Sequence, residues 1–495
     1  MSDEYKKRLE KMLSGKKLIL ASNRGPYAFE YAENGDLVEQ RGGGGLVSAF
    51  LSLAGHIDLT WFSVAKTEAD KAIGQEGVEV GSRKRSLVKF VEVDSGIYHD
   101  YYNKMCNEVL WFIHHGLCDA AYQPVFSREI NSAWNSYKQV NARFADSLSE
   151  QMALGEGDNL ILFQDYHLYL AARNLQKTQK TWTVHFTHIP WPSPEIISMM
   201  PRHILTDILK GLLSHDLVGF HSQEYVVNFL RACEDILDIT VDMDHQVVSF
   251  EGRWVPVGAF PISIDSNALV DESLCAEVKQ NEIIDVDKRR FIFRADRVDP
   301  SKNIIRGFLA FERLLENSPE FLGKVDFLAY LYESRTDLKY YQDYVHTIKK
   351  TVGRINNRFG DNSWQPIRLR LADNYFQTLA AYKKFDVLLV NSIADGMNLV
   401  VKEGSLLNDN DGVVVLSART GAHNELSRFC LTINPFDINE TADSLSKALL
   451  MPKKERSQRS IFLKDIVKKN NSAKWLFYQL NMLEQKNTDF RCVQE

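Results

Sequence analysis

The sequence predicts an α/β protein made of two Rossmann-like halves, each a doubly wound parallel sheet. Two observations carry that prediction. Short apolar runs, the signature of strands buried on both faces, alternate with segments of helical period along most of the chain. Most of these runs end in a polar loop carrying a cation, a carboxylate or a histidine, as expected where ligands gather at the carboxyl edge of an open sheet. Composition agrees. The chain has 495 residues, 44% hydrophobic and 25% charged, which suits two or three globular domains. A net charge of −6 argues against a general nucleic-acid or membrane-surface binder. No apolar run reaches the roughly 18–20 residues of a membrane helix. Residues 1–17 are charged and amphipathic with no signal-peptide core, so a cytoplasmic protein is expected. The six cysteines form no CxxC pair and read as reduced thiols, with no metal site implied.

Residues 17–21 form the first buried strand, which ends at Ser22-Asn23-Arg24-Gly25-Pro26. A run of four glycines from Gly42 to Gly45 then precedes a helix-period segment. Between a strand and a helix, such a run lets the backbone approach a ligand closely. The aromatic patch from Tyr98 to Phe112, with Tyr101, Tyr102 and Trp111, reads by itself as core. Residues 160–163 are a strand ending in Gln164-Asp165-Tyr166-His167, and residues 183–187 one ending in His188-Ile189-Pro190-Trp191-Pro192. Two strand ends thus deliver Asp165 and His188 to one edge, which favours a site over a structural role. Residues 216–221 are a further strand, followed by a helix from about 222 to 237.

The first domain is expected to span residues 1–265. A charged, helix-prone stretch, 271–290, leads into a second βα series. The strand 290–295 ends in Asp296-Arg297-Val298-Asp299-Pro300-Ser301-Lys302-Asn303, where Arg297 and Lys302 suit two phosphates, one as a bidentate fork and one as a point charge. Strands follow at 325–331, ending near Ser334-Arg335, at 367–371, 386–390 and 413–417. The strand 386–390 leads to Asp395-Gly396-Met397-Asn398-Leu399 and a helix running through Lys402 and Glu403 toward Leu407. A helix start at a strand's carboxyl end presents N–H groups and a positive dipole end, a ready phosphate site. Carboxylates at Asp395 and Glu403 suit sugar and ribose hydroxyls. The second domain is expected to run from 266 to about 473, and helices fill the chain from about 442 to 485.

Neither half carries a GxGxxG fingerprint or a P-loop lysine, which points to a sugar-nucleotide enzyme. Seven segments in matching order resemble the trehalose-6-phosphate synthases, retaining GT-B glycosyltransferases of family 20. They are Ser22-Asn23-Arg24, Gly44-Gly45-Leu46, Asp100 to Asn103 through Trp111, Asp165-Tyr166-His167, His188 to Pro192, Arg297-Val298-Asp299 with Lys302, and Asp395 to Leu399 with Lys402-Glu403. The resemblance implies transfer of glucose from a nucleoside-diphosphate glucose, UDP-glucose first, to glucose 6-phosphate, giving α,α-trehalose 6-phosphate. It implies two domains facing a cleft, an acceptor-binding one (1–265) and a donor-binding one (266–473), with the C-terminal helix of about 474–495 crossing back to the first. Arg24, Tyr102 and Arg335 would hold the acceptor phosphate, with Trp111 and Asp165 lining its sugar. Gly45 would approach the donor diphosphate, and His188 and Asp395 would bind donor glucose. Arg297 and Lys302 would neutralise the diphosphate. Met397, Asn398 and Leu399 would line the donor, and Glu403 would take the ribose. His188, Asp165, Arg297, Lys302 and Asp395 form the implied catalytic set. The positive groups act without a metal or cofactor. No carboxylate stands out as a nucleophile for a double displacement, so the resemblance implies front-face attack by the acceptor hydroxyl as the diphosphate departs.

Some positions depart from the family pattern. Ala394 stands where Arg is usual, Gln164 where His is frequent, and Pro300 and Asn303 where Tyr and Gly are common; no Arg lies between Leu371 and Ala381. These changes leave the donor base open among uridine, guanosine and adenosine. Rival readings are a glucosylglycerol-phosphate synthase or a validoxylamine-phosphate-synthase-like enzyme of the same fold, a polymer-extending enzyme resembling glycogen synthases, and a catalytically silent regulatory subunit. A homo-oligomer is compatible with all of these.

Overall fold

In the computed structural model, the described residues are 2–42, 47, 50, 58–80, 86–154, 157–281 and 289–491. The chain divides into two units, Met1–Ile262 with Ser472–Glu495, and Ser263–Asn471.

Twelve strands of the first unit follow in chain order: β1 (Lys16–Ala21), β2 (Tyr27–Tyr31), β3 (Leu37–Arg41), β4 (Leu59–Val64), β5 (Val78–Val80), β6 (Ser86–Val91), β7 (Asp158–Gln164), β8 (Thr181–Phe186), β9 (Leu217–Phe220), β10 (Val241–Asp242), β11 (Val247–Phe250) and β12 (Arg253–Ala259). All but β2 and β3 form one sheet, in the order β10-β11-β12-β9-β8-β7-β1-β4-β6-β5. The run from β12 to β6 is parallel throughout. The chain enters at β1, moves one way to β4 and β6, then returns to β7 on the other side of β1. The direction of winding therefore reverses between β1 and β7, and in such sheets the ligand crevice opens at that point.

The expected doubly wound parallel sheet forms the body of the unit, and β10, β11 and β5 pair antiparallel at its edges. These short rim strands close open sheet edges. A hairpin not marked in the sequence follows β1. The glycine run does not follow the strand directly. An antiparallel hairpin, β2–β3, comes first, turned at Asn34-Gly35 with Gly35 at φ 84°.

The core follows from the pattern. β1, β7 and β8 are buried along most of their length because their residues are apolar on both faces. The helix Arg128–Ala153 buries one stripe through Trp134, Tyr137, Val140, Phe144 and Leu148. Ser222 caps the helix Gln223–Leu237 by accepting from the Tyr225 N–H. The last helix, Ser472–Arg491, packs within the first unit. Trp475 meets Phe50 and Phe186 edge-on at ring distances of 5.4 and 5.0 Å. No helix among the described residues is long and apolar enough to cross a membrane.

Among the described residues the second unit has six parallel strands: β13 (Arg290–Arg297), β14 (Val325–Tyr332), β15 (Ile367–Leu371), β16 (Val387–Val390), β17 (Val413–Ser417) and β18 (Leu431–Ile433). Their order is β15-β14-β13-β16-β17-β18. This is the doubly wound order with its reversal between β13 and β16. Its core gathers Ile292, Phe308, Phe311, Phe327, Leu389 and Val415. In the helix-prone stretch 271–290, helices cover Ser266–Glu272 and Ala276–Asn281, and residues 282–288 lie outside the described residues.

One buried carboxylate ties the rim of the first unit together. Asp70 is 1% exposed and accepts from the N–H groups of Phe29 (2.9 Å), Lys66 (2.9 Å) and Thr67 (3.3 Å). Thr67 completes the capping box by accepting from the Asp70 N–H at 2.9 Å. Asp70→Ala strands these donors, and we expect a loss of about 1–3 kcal/mol. The urea midpoint of the first unit's transition checks this; an unchanged midpoint contradicts it.

Candidate active site

At the reversal point of the first unit, Arg24 follows β1 and Asp165 follows β7. Arg24 donates to the Tyr102 hydroxyl at 2.6 Å. Tyr102 stacks between Tyr98 (5.4 Å, 7°) and His167 (5.9 Å, 16°). The tyrosines come from a helix entered at Ser95–His99, capped by Asp94, whose next eleven residues, Asp100–Leu110, have wide π-type turns. Such turns recur at functional sites. Tyr101 and Trp111 on this segment are 0% and 6% exposed. The aromatic patch therefore divides: Tyr101 is core, Tyr102 faces the edge, and Trp111 packs on His115 and Tyr166 at ring distances of 4.0 and 5.9 Å.

Asp165 sits at φ 71°, outside the comfortable range for a side-chain-bearing residue. The strain serves a bond: its Oδ1 accepts from the His188 N–H at 3.0 Å, tying the ends of β7 and β8. The His188 ring lies with Nε2 2.9 Å from Gln164 Oε1, which places the proton on Nε2. Burial, with His221 adding repulsion, holds His188 well below the usual histidine range. The ring is neutral and serves as a hydrogen-bonding group. Gly45 lies outside the described residues.

At the reversal point of the second unit, the loops after β13 and β16 meet. Lys302 Nζ lies 2.5 Å from Asp395 Oδ2. The same oxygen accepts from Asn398 Nδ2 at 3.0 Å and from the Ser392 hydroxyl at 3.3 Å. Burial works against the Lys302 charge, but Asp395 and Asp296 outweigh it and its pKa is raised. Arg297, about one-third exposed at its side chain, stands 4.0 Å from Asp299. Asn398, at φ 72°, caps the helix Leu399–Leu407 by accepting from the Val401 N–H, so Met397, Asn398 and Leu399 form the helix mouth. Lys402 forms a buried pair with Glu425.

Arg335 follows β14 and donates to Asp299 Oδ2 at 2.6 Å; Tyr341 donates to the same oxygen at 3.1 Å. The geometry therefore anchors Arg335 within the second unit, on the carboxylate that also stands near Arg297.

Several supports were invisible in the sequence. Arg294, 0% exposed, donates to Asp296 and to the Lys302 carbonyl, shaping the loop that presents Lys302. Asn303, at φ 56°, donates to the carbonyls of Asn391 and Pro435. The loop after β17 clamps the Asp395 turn: Gly421 and Ala422 donate to the carbonyls of Asp395 and Met397. A Cβ on Gly421 would fall 1.9 Å from the Gly396 carbonyl oxygen, so only glycine fits. A positive-φ tolerant Asn at 303 and a Gly in the loop after a strand were the available signals.

The fold has solved counterparts. One is a UDP-forming α,α-trehalose-phosphate synthase from Burkholderia xenovorans in complex with glucose-6-phosphate, with TM-score 0.81 and 27% identity over 94% of this chain and 100% of that one. Another is an E. coli trehalose-6-phosphate structure bound with UDP-2-fluoro glucose, with TM-score 0.82 and 29% identity over 95% of this chain and 99% of that one. Two Rossmann-like units with charged reversal points and these counterparts define a glycosyltransferase of the GT-B class. The bifunctional trehalose-6-phosphate synthase/phosphatase of Thermoproteus tenax is 31% identical over 477 residues, covering 93% of this chain; the chain spans 62% of that relative's length. The model of glycosyltransferase family 20 matches residues 16–485, and the chain belongs to that family.

Glu403 sits one helical turn into Leu399–Leu407. Burial pushes it up to about 7; the Tyr382 hydroxyl, 3.3 Å away, opposes the shift and Glu272 adds to it. The ordinary value is 4.5, so the fold favours the protonated form. That contribution is full below the ordinary value and is lost as pH rises through about 7. Glu403→Gln, fixed in the neutral state, is expected to raise the urea midpoint at about pH 8 and to change it little at about pH 5. An equal effect at both pH values contradicts the assignment.

Proposed function

We propose that the chain transfers glucose, with retention, from UDP-glucose to glucose 6-phosphate, forming α,α-trehalose 6-phosphate. The observation that carries this reading is the placement of complementary groups at both reversal points: a cation on an aromatic ladder in one unit, and a cation–carboxylate loop pair beside a helix mouth in the other. The relatives' names supply the donor base and both sugars.

In this reading, Arg24, Tyr102 and Arg335 hold the acceptor phosphate, and Trp111 and Asp165 line the acceptor sugar. Arg297 and Lys302 draw the donor diphosphate, with Gly45 and the mouth at Met397, Asn398 and Leu399 around it. Asp395 and His188 take glucose hydroxyls, and Glu403 the ribose. Lys302 and Asp395 satisfy each other before substrate arrives. A diphosphate offers Lys302 a doubly charged partner, and glucose hydroxyls offer Asp395 donors in exchange. As the anomeric carbon–oxygen bond breaks, charge grows on the diphosphate oxygens, where fixed cations stabilise the transition state more than the ground state. The acceptor hydroxyl attacks from the same face and passes its proton to the departing diphosphate. A neutral His188 supplies a hydrogen bond and no proton, which fits that path. Because the cations supply this charge stabilisation, we propose catalysis without a metal ion, in the cytoplasm; chelator-insensitive turnover tests the first point.

Incubation of the purified chain with UDP-glucose and glucose 6-phosphate should yield a disaccharide phosphate by mass spectrometry, with α,α linkage by NMR. Donor hydrolysis alone, or product only with another phosphorylated acceptor, rejects the reading. Arg297→Ala and Lys302→Ala should each slow single-turnover transfer by about 100- to 1,000-fold; unchanged rates in both reject the roles given to them.

A further inference from the structure

We propose that Lys66 is a second cation of the anion site at Arg24, binding the phosphate of the acceptor; this deepens the reading above and rests on it. Lys66 lies two residues beyond β4, the strand next to β1 on the side away from β7. Backbone bonds bring the two strand ends together: the Ser22 N–H donates to the Phe62 carbonyl at 3.1 Å, and the Val64 N–H to the Asn23 carbonyl at 3.3 Å. The stretch holding Lys66 thus runs beside Asn23-Arg24. Asp70 fixes its direction by accepting from the Lys66 and Thr67 N–H groups, which leaves that carboxylate occupied by backbone.

The ammonium faces charge of its own sign. Lys66 is exposed; desolvation of its ammonium and the Arg24 guanidinium push it down to about 8, and Asp70 only partly opposes this. Among the described residues no carboxylate forms a salt bridge with either Arg24 or Lys66. Two cations are therefore held near each other by neighbouring strand ends, and among the described residues the carboxylate that acts on Lys66, Asp70, is taken up by backbone donors and forms no ion pair with it. A structure keeps such repulsion at a sheet's ligand edge when an external anion relieves it. The hydroxyls around them set the class of anion. Tyr102 accepts from Arg24, and Asn23 Nδ2 donates to the Tyr98 hydroxyl at 3.4 Å, so phenol groups that can turn their protons outward flank the cations. A tetrahedral phosphate monoester uses both a bidentate fork and a point charge.

The test is steady-state kinetics with saturating UDP-glucose, varying glucose 6-phosphate, for the parent, Lys66→Met and Lys66→Arg. Loss of one charge-assisted contact should raise the acceptor KM of Lys66→Met by about 10-fold or more. The donor KM should hold steady, and Lys66→Arg should recover most of the acceptor affinity. Inorganic phosphate should inhibit the parent competitively against glucose 6-phosphate and inhibit Lys66→Met more weakly. An acceptor KM unchanged in Lys66→Met, or a rise shared equally by the donor KM, overturns this inference and leaves the proposed reaction standing. A parent chain that makes no product from glucose 6-phosphate overturns both. Matching thermal midpoints for the three proteins exclude a folding defect as the cause of a raised KM.

Discussion

The geometry of the second unit's candidate site is organised by the bond between Lys302 and Asp395. These residues are 93 positions apart in sequence, yet their loops leave the two strands flanking the reversal point. At that point connections diverge to opposite faces of the sheet, and the gap between them is where side chains from both loops can meet. A part-buried ion pair is a poor source of stability, because desolvation offsets most of its attraction. Its more useful property is exchange. Each partner is held in place by the other, and in the proposed reading Lys302 passes to a phosphate and Asp395 to hydroxyl donors of the sugar. The supports around it serve that end: Arg294 holds the Lys302 carbonyl, and Asn398 and Ser392 hold the Asp395 oxygen.

The same logic applies to four of the strained backbone positions. Asp165, Asn303, Arg335 and Asn398 all have positive φ, between 54° and 72°, and all lie in loops at or just beyond the carboxyl ends of strands. Each costs on the order of 1–3 kcal/mol unless its side chain recovers some of it, as Asp and Asn do through local hydrogen bonds. Asp165 recovers it at the His188 N–H, Asn303 at two carbonyls, and Asn398 as a helix cap. Arg335 recovers it through Asp299. Three of these four, Asp165, Arg335 and Asn398, are residues to which the family resemblance assigns substrate contacts.

The parallel framework was legible because strands buried on both faces announce themselves as unbroken apolar runs. β1, β7, β8, β13, β14, β16 and β17 lie where those runs fall, and the helix Leu399–Leu407 starts just after the Asp395-Gly396 turn, close to where the sequence puts it. The hairpin of β2 and β3 was missed because its outer face is polar and it packs on one side only. β4 was missed because Thr60 and Ser63 interrupt its apolar run, although Trp61 and Phe62 are both buried. Long-range pairings had no local signal at all: Asp165 with the His188 backbone, Arg335 with Asp299, and Lys402 with Glu425 depend on which strand ends become neighbours. Lys66 was overlooked for the same reason. It follows β4, and only the sheet order sets it beside Arg24.

The central claim is that Arg297, Lys302 and the turn at Asp395 receive a sugar nucleotide's diphosphate and sugar. A crystal structure of the chain soaked with UDP-glucose tests it most directly. The account predicts diphosphate density within hydrogen-bonding distance of Arg297 and Lys302, with the Lys302–Asp395 bond lengthened and a glucose hydroxyl on Asp395. Density for the nucleotide at any other surface, with that bond intact, would contradict it.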